Sequence, residues 1–227
     1  MSQPQAGPDR TTSAALRGGM AVPVIYFGVQ LLAAPFYPGY SFLARDAGTL
    51  GSPGSSMPAI FNAGSIIAGA VMVASAWEFG APFAATWLSV VAVVCGAIGS
   101  INARFHPLPD PLHTSGILSS LGVGLFLLPV VAPIAVWRLD SARTIRRYLG
   151  FNLLLVAALI PIMGGLIQRW SIMADVEIPG LQSLLNNYQG FLQRLAAIAV
   201  FVPIGVTAAF LAGRLSDQAR VASGPLA

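Results

Sequence analysis

The sequence predicts an all-α integral membrane protein, built as a bundle of six membrane-spanning helices. Hydrophobic residues make up 56% of the 227 positions, whereas charged residues make up only 9%. An average soluble domain is about 25% charged, so a soluble globule of this composition would lack polar surface. The apolar residues also occur in long continuous blocks. Such blocks are typical of helices in lipid, where every backbone group must be satisfied within its own segment.

Six windows approach the length of about 20 mostly apolar residues that a spanning helix needs. They lie at 19–36, 59–77, 82–103, 115–136, 149–167 and 191–212. The polar residues before the first window predict a disordered tail over 1–14. The transmembrane domain is expected over 15–214, and a second short tail over 215–227. A chain of this length accommodates one such bundle and no second domain.

The arginines predict the orientation of the bundle, because cytoplasmic connections carry an excess of basic residues. All twelve basic residues are arginine. With a cytoplasmic amino terminus, eight fall on the inner side, namely Arg10, Arg17, Arg138, Arg143, Arg146, Arg147, Arg214 and Arg220. The outer side then holds four, namely Arg45, Arg104, Arg169 and Arg194. This distribution predicts that both ends of the chain are cytoplasmic.

The outer connections are long and chemically rich, whereas the inner ones are short. They cover residues 37–58, 102–113 and 168–189, and they hold both histidines and four of the eight acidic residues. Long polar loops on a rigid helical scaffold commonly carry function. Above the mouth of a bundle, they would form a pocket with an apolar floor and a polar rim.

Ten residues of these connections and of the adjacent helix ends are predicted to line that pocket. Eight are expected to bind a ligand: Tyr37, Tyr40, Arg45, Asn62, Asn102, Arg104, Asp110 and Arg194. The other two, Asp46 and His113, are candidates for acid–base catalysis, because a carboxyl and an imidazole both donate and accept protons.

The charged candidates also have structural alternatives. Arg194 lies about one turn inside the sixth span, where a charge is costly unless it meets a partner. Its guanidinium either binds a phosphate or carboxylate headgroup or forms an internal salt bridge to Asp46 or Asp110. Arg45 and Asp46 are either a reactive or anion-binding pair or the charged tip of a re-entrant loop. In the second case Asp46 would pair with Arg104 or Arg194.

The sequence predicts no metal site and leaves any cofactor unknown. His106, Asp110 and His113 have chemical types that suit zinc. However, three prolines hold their connection extended, and the spacing matches no closed zinc pattern. The glycine-rich stretch 48–56 has no lysine and follows no strand, so it is not a Walker-type phosphate loop. No haem, nucleotide or iron–sulfur motif is recognisable in the sequence.

Four segments resemble the recurring motifs of one bacterial membrane family. They are YPGYSFLARDAGTLG at 37–51, AIFNAG at 59–64, FHPLPDPLH at 105–113 and GFLQR at 190–194. The family is catalogued only as domain of unknown function 998. The resemblance implies six helices and a bacterial membrane, but no activity and hence no catalytic residue. His106 departs from the pattern, because it stands where a second aromatic or apolar residue is expected.

The leading hypothesis is an inner-membrane protein that binds a lipid or isoprenoid amphiphile. It would also process this ligand if Asp46 or His113 acts chemically. The second is a non-catalytic accessory or assembly subunit that contacts another membrane protein through its outer loops. Apolar residues such as Trp170 within a connection favour it. A small-molecule transporter ranks third, because the spans are nearly bare of charge at their midplanes. Membrane lipid is the expected partner, and no basic stripe or stacking platform for nucleic acid is present.

Overall fold

The structure is a computed structural model that describes residues 10–80, 143–163 and 179–223. Within these ranges the chain is helical and contains no strand, which confirms an all-α fold for this part. The long helices are α1 (Arg10–Ala33), α2 (Pro58–Gly80), α3 (Arg143–Met163) and α4 (Leu181–Ser223). Two short 3₁₀ turns, Ala34–Phe36 and Ala47–Gly51, lie in the connection between α1 and α2.

Two of these helices are long and apolar enough to cross a membrane. The first is Ala14–Phe36, which comprises most of α1 and the 3₁₀ turn that follows it, with a mean hydropathy of 1.6. The second is Asn187–Asp217 of α4, with a mean hydropathy of 2.4. The apolar stretch of α2, Pro58–Met72, is shorter. The four described helices coincide with the first, second, fifth and sixth predicted spans. The third and fourth predicted spans lie outside the described residues.

The ends of α1 and α4 extend beyond the windows that hydropathy predicts. α1 begins at Arg10, inside the segment expected to be a disordered tail. α4 begins at Leu181 and ends at Ser223, so it continues into polar sequence at both ends. Backbone hydrogen bonds define where a helix ends, whereas a hydropathy window detects only its apolar part. A hydropathy window therefore does not predict extensions of this kind.

α1 packs against both α2 and α4, and α4 in turn packs against α3. Buried apolar residues from α1, α2 and α4 form a common cluster that includes Val22, Met72 and Phe201. The ring of Tyr26 stacks on that of Phe201, with 4.1 Å between their centroids. This packing places the carboxyl end of α1, the amino end of α2 and residues 188–194 of α4 at the same end of the bundle.

Buried polar side chains join neighbouring helices within these apolar surroundings. The amide nitrogen of Asn152 on α3 donates to the carbonyl oxygen of Ala199 on α4, at 2.6 Å. The hydroxyl of Ser75 on α2 lies 2.9 Å from the carbonyl oxygen of Ala15 on α1. Hydrogen bonds of this kind contribute about 1 kcal/mol each to the association of the helices.

Two glycines of α2 provide a test of how closely α1 and α2 pack. A Cβ at Gly64 would overlap the side chain of Val29, whereas a Cβ at Gly69 would meet nothing within 4 Å. Both changes to Ala raise helix propensity by about 1 kcal/mol, but overpacking costs about 1–3 kcal/mol.

We therefore expect Gly64→Ala to lower the midpoint of thermal unfolding in detergent, and Gly69→Ala to leave it unchanged or raise it. Equal midpoints for the two variants would contradict the close contact between α1 and α2.

Candidate functional site

The connection between α1 and α2 folds back over one end of the bundle as a compact capping loop, residues 37–57. Its 3₁₀ turn is anchored by Ala47 and Leu50, whose side chains are buried against Val29 and Ala33 of α1 and Phe61 of α2. The rest of the loop is held by polar contacts to α4, which give backbone groups of the loop hydrogen-bond partners within the protein.

Arg194 of α4 provides most of these contacts. One terminal nitrogen, Nη1, lies 2.7 Å from the carbonyl oxygen of Phe42, 3.0 Å from that of Arg45 and 2.8 Å from that of Gly190. The other, Nη2, donates to the hydroxyl of Tyr40. The guanidinium also lies over the ring of Phe42, with its central carbon 4.8 Å from the centroid. Its terminal nitrogens are thus engaged by neutral acceptors of the protein itself.

Tyr40 connects this arginine to the turn of the loop. Its hydroxyl accepts from Arg194 and donates to the carbonyl oxygen of Asp46, at 3.0 Å. Burial of the ring raises the pKa of Tyr40 above its ordinary value, and this effect outweighs the opposing effect of the nearby guanidinium. The phenol is therefore neutral at physiological pH and acts as a hydrogen-bonding bridge.

The loop approaches α4 most closely at Gly190. A Cβ there would overlap the carbonyl oxygen of Arg45 and would lie 2.7 Å from that of Phe42. The backbone of α4 departs from helical geometry just before this point, at Tyr188 (φ −124°, ψ 15°). Next to this kink, the N–H of Phe191 donates to the carbonyl oxygen of Leu43, at 2.9 Å. The loop thus supplies an acceptor for a helical N–H.

The carboxylate of Asp46 caps the 3₁₀ turn. One oxygen accepts from the backbone N–H of Thr49, at 2.9 Å, and the other accepts from the side-chain amide of Gln189, at 3.4 Å. The next backbone N–H, that of Ala47, donates to the side-chain oxygen of Gln193, at 2.6 Å. Both oxygens of Asp46 are therefore used to hold the loop and attach it to α4.

Arg45 differs from the other charged residues because its side chain is exposed. Its Nη1 donates to the hydroxyl of Tyr37, at 3.0 Å, and its guanidinium carbon lies 5.2 Å from the centroid of that ring. Within the described part of the chain, its remaining N–H groups make no hydrogen bond. The phenol thus fixes the direction of an exposed guanidinium.

Asn62, near the start of α2, completes the described set. Its amide nitrogen donates to the carbonyl oxygen of Gly51, at 3.2 Å, and so attaches the end of the 3₁₀ turn to α2. Its amide oxygen is buried and has no hydrogen-bond partner in the described structure. Asn62 thus anchors the loop and leaves an acceptor unused.

The structure brings together most of the predicted pocket residues that it describes. Tyr37, Tyr40, Arg45, Asp46 and Arg194 form one connected cluster, whereas Asn62 contacts the far end of the turn. The other predicted residues lie outside the described residues: Asn102, Arg104, His106, Asp110 and His113. No group of three potential metal ligands occurs in the described ranges.

Of the alternatives proposed for Arg194, the described residues test only the salt bridge to Asp46, because Asp110 lies outside them. In the described ranges Arg194 bonds to main-chain carbonyls and a phenol, and forms no ion pair with Asp46. Its terminal nitrogens meet carbonyl oxygens that no count of charged residues can reveal, whereas its buried Nε has no hydrogen-bond partner among the described residues. Sequence reasoning also missed Gln189 and Gly190 as contact residues. The capping role of Asp46 had a signal, since an Asp three residues before Thr49 is a common capping pattern.

Replacement of Arg194 tests whether it holds the loop. We expect Arg194→Lys to lower the free energy of unfolding by about 2 kcal/mol, because a single ammonium cannot reach all of these acceptors. Trypsin should also cleave faster after Arg45, because the carbonyl oxygen of Arg45 is no longer held by the guanidinium of Arg194. The control Arg147→Lys changes an exposed arginine of α3 and should leave both readouts unchanged. Wild-type stability and cleavage in Arg194→Lys would show that the loop is held by other contacts.

Comparisons with models of protein families, with curated proteins and with solved structures each find no match for this chain. The resemblance to the family of domain of unknown function 998 therefore stays a prediction from the sequence motifs. What the chain binds must be inferred from the chemistry of the cluster at the capped end.

Proposed function

We propose that the chain is a multi-pass protein of the bacterial inner membrane that binds an anionic amphiphile, a lipid or an isoprenoid, at the capped end. In this proposal six helices span the membrane, both ends of the chain are cytoplasmic, and the capping loop faces outward. The two long apolar helices and the predicted arginine distribution support the membrane placement. α1 begins on the side rich in arginine, which puts the capping loop on the other side.

The observation that carries the proposal is the exposed guanidinium of Arg45. Tyr37 orients it, and its free donors match the oxygens of a phosphate or carboxylate headgroup. Apolar side chains lie beside it in the same loop, since Phe42 is 38% exposed and Leu43 is 49% exposed. A charged group next to exposed apolar surface fits a ligand that has an anionic head and an apolar tail.

Within the described residues of the capped end, the balance of charge favours an anion. Among residues 34–72 and 179–213, the charged side chains are Arg45, Asp46 and Arg194, so these segments carry two positive charges against one negative. The carboxylate is already engaged in capping the turn, and Arg194 is engaged by the loop. An anionic headgroup at Arg45 would neutralise the excess charge.

The described geometry supports binding rather than chemistry. Asp46, one of the two proposed catalytic residues, has both carboxylate oxygens engaged by Thr49 and Gln189. A carboxylate whose two oxygens are both engaged in this way serves the structure of the loop. We therefore propose no catalytic step at Asp46.

The proposed orientation predicts which residues a membrane-impermeant maleimide reaches. In a chain with Cys95→Ser, we expect the reagent to label Pro53→Cys of the capping loop in cells whose outer membrane is permeabilised. Thr144→Cys, at the start of α3, should be labelled only after the inner membrane is broken. Both positions are exposed, so burial does not confound the comparison. The reverse pattern would place the capping loop in the cytoplasm.

Binding is tested by titrating the purified protein with phosphatidylglycerol or phosphatidylcholine and counting bound lipids by native mass spectrometry. We expect Arg45→Ala to weaken retention of phosphatidylglycerol about tenfold, which corresponds to about 1.4 kcal/mol. Retention of phosphatidylcholine should change less, because the choline cation offsets the charge of its phosphate.

The matched control for this experiment is Arg147→Ala, which removes the same charge from an exposed position of α3. We expect it to retain phosphatidylglycerol as the wild type does. Equal retention by Arg45→Ala and the wild type would overturn the proposed role of Arg45.

A further inference from the structure

The first two turns of α4, residues 181–188, form an arm that is set apart from the rest of the helix. The backbone leaves helical geometry at Tyr188, and the N–H of Phe191 bonds to Leu43 of the capping loop. On the other side, the arm starts directly after Gly180, whose φ of +75° a side chain would disfavour. The arm is thus a short helix between a tight turn and a kink.

One side of the arm and of the turn after it exposes large apolar side chains. Leu184 is 44% exposed, Tyr188 is 41% exposed and Phe191 is 47% exposed. The spacing of four residues places Leu184 and Tyr188 near one face of the arm, and Phe191 follows beyond the kink. Leucine and aromatic rings exposed to this extent are costly in water at about 25 cal/mol per Å² of apolar area, so this face calls for an apolar environment.

The neighbouring side of the arm is polar. Ser183 and Asn187 are both exposed, and the amide of Asn187 donates to the hydroxyl of Ser183 at 3.2 Å. The sequence repeats this division, since its apolar residues between 181 and 188 recur at i, i+3, i+4 and i+7. The arm is therefore amphipathic, with one side suited to lipid and another suited to water.

The chain around the arm carries no charge between residues 178 and 193. A surface without charge offers no complement to a charged macromolecule, but it suits the boundary between headgroups and acyl chains. The arm also runs directly into Asn187–Asp217, a stretch long and apolar enough to cross a membrane. A helix that enters the bilayer there must pass through this boundary at the position of the arm.

We propose that the arm is an interfacial helix that lies on the outer surface of the bilayer, with Leu184 and Tyr188 immersed at the boundary. This inference rests on the membrane placement in the proposed function. A tyrosine at this depth keeps its ring in the apolar layer and its hydroxyl among the headgroups. The bond from Gln189 to Asp46 fixes the arm beside Arg45, so lipids that contact the arm lie next to the exposed guanidinium.

The depth of each face is measured with nitroxide labels on single cysteines in a chain with Cys95→Ser. The protein is reconstituted in nanodiscs of phosphatidylglycerol and phosphatidylcholine. We expect Leu184→Cys and Tyr188→Cys labels to relax more with oxygen, which concentrates in lipid. Labels at Ser183→Cys and Asn187→Cys should relax more with a water-soluble nickel chelate.

A label at Val24→Cys, which is 71% exposed on α1, is the reference for the bilayer itself. If Val24 reports lipid while Leu184 and Tyr188 report water, the inference about the arm is wrong and the membrane placement stands. If Val24 reports water, the membrane placement in the proposed function fails. Immobile labels at 184 and 188 that neither reagent reaches would show a protein partner on this face, which also overturns the inference.

Discussion

A half-buried cation organises the capped end of the bundle. The guanidinium of Arg194 cannot lose its proton under biological conditions, so the fold has to surround it with acceptors. The loop does this by directing the carbonyl oxygens of Phe42 and Arg45 toward it, alongside that of Gly190 in its own helix. Carbonyl oxygens stabilise a cation without adding a net charge of their own. The path of the loop therefore follows from the position of one arginine on α4.

The charged side chains of the cluster use their hydrogen-bonding groups in two different ways. Arg194 and Asp46 have theirs turned inward, where they fix the loop to α4 and close its 3₁₀ turn. Arg45 lies in the same loop, and among the described residues its guanidinium is held by Tyr37 and makes no other hydrogen bond. An exposed cation on a rigid support loses little conformational entropy when it binds an anion.

Hydropathy and charge could identify the helices and the charged residues, but not the contacts between them. A long apolar block of the length predicted for a span favours one continuous helix, and the described helices overlap four of the predicted spans. The sequence also shows that Arg194 needs a partner. It does not show that carbonyls supply one, since their directions depend on backbone angles that residue type does not encode. Residues 181–188 lie outside the predicted span because half of them are polar. Gly190 matters through its close approach to the backbone of the loop, which no sequence pattern predicts.

The contacts around Arg194 join parts of the chain that are far apart in synthesis. Tyr40 leaves the ribosome 154 residues ahead of the arginine that binds it. Until α4 has been synthesised, the carbonyl groups of the loop lack the donor that unites them, and the order of the loop rests on the turn capped by Asp46 and on its packing against α1 and α2. Contacts between residues so far apart in sequence close late, because the intervening chain must first be ordered. The junction at Arg194 is thus completed only in a chain that has been made through α4.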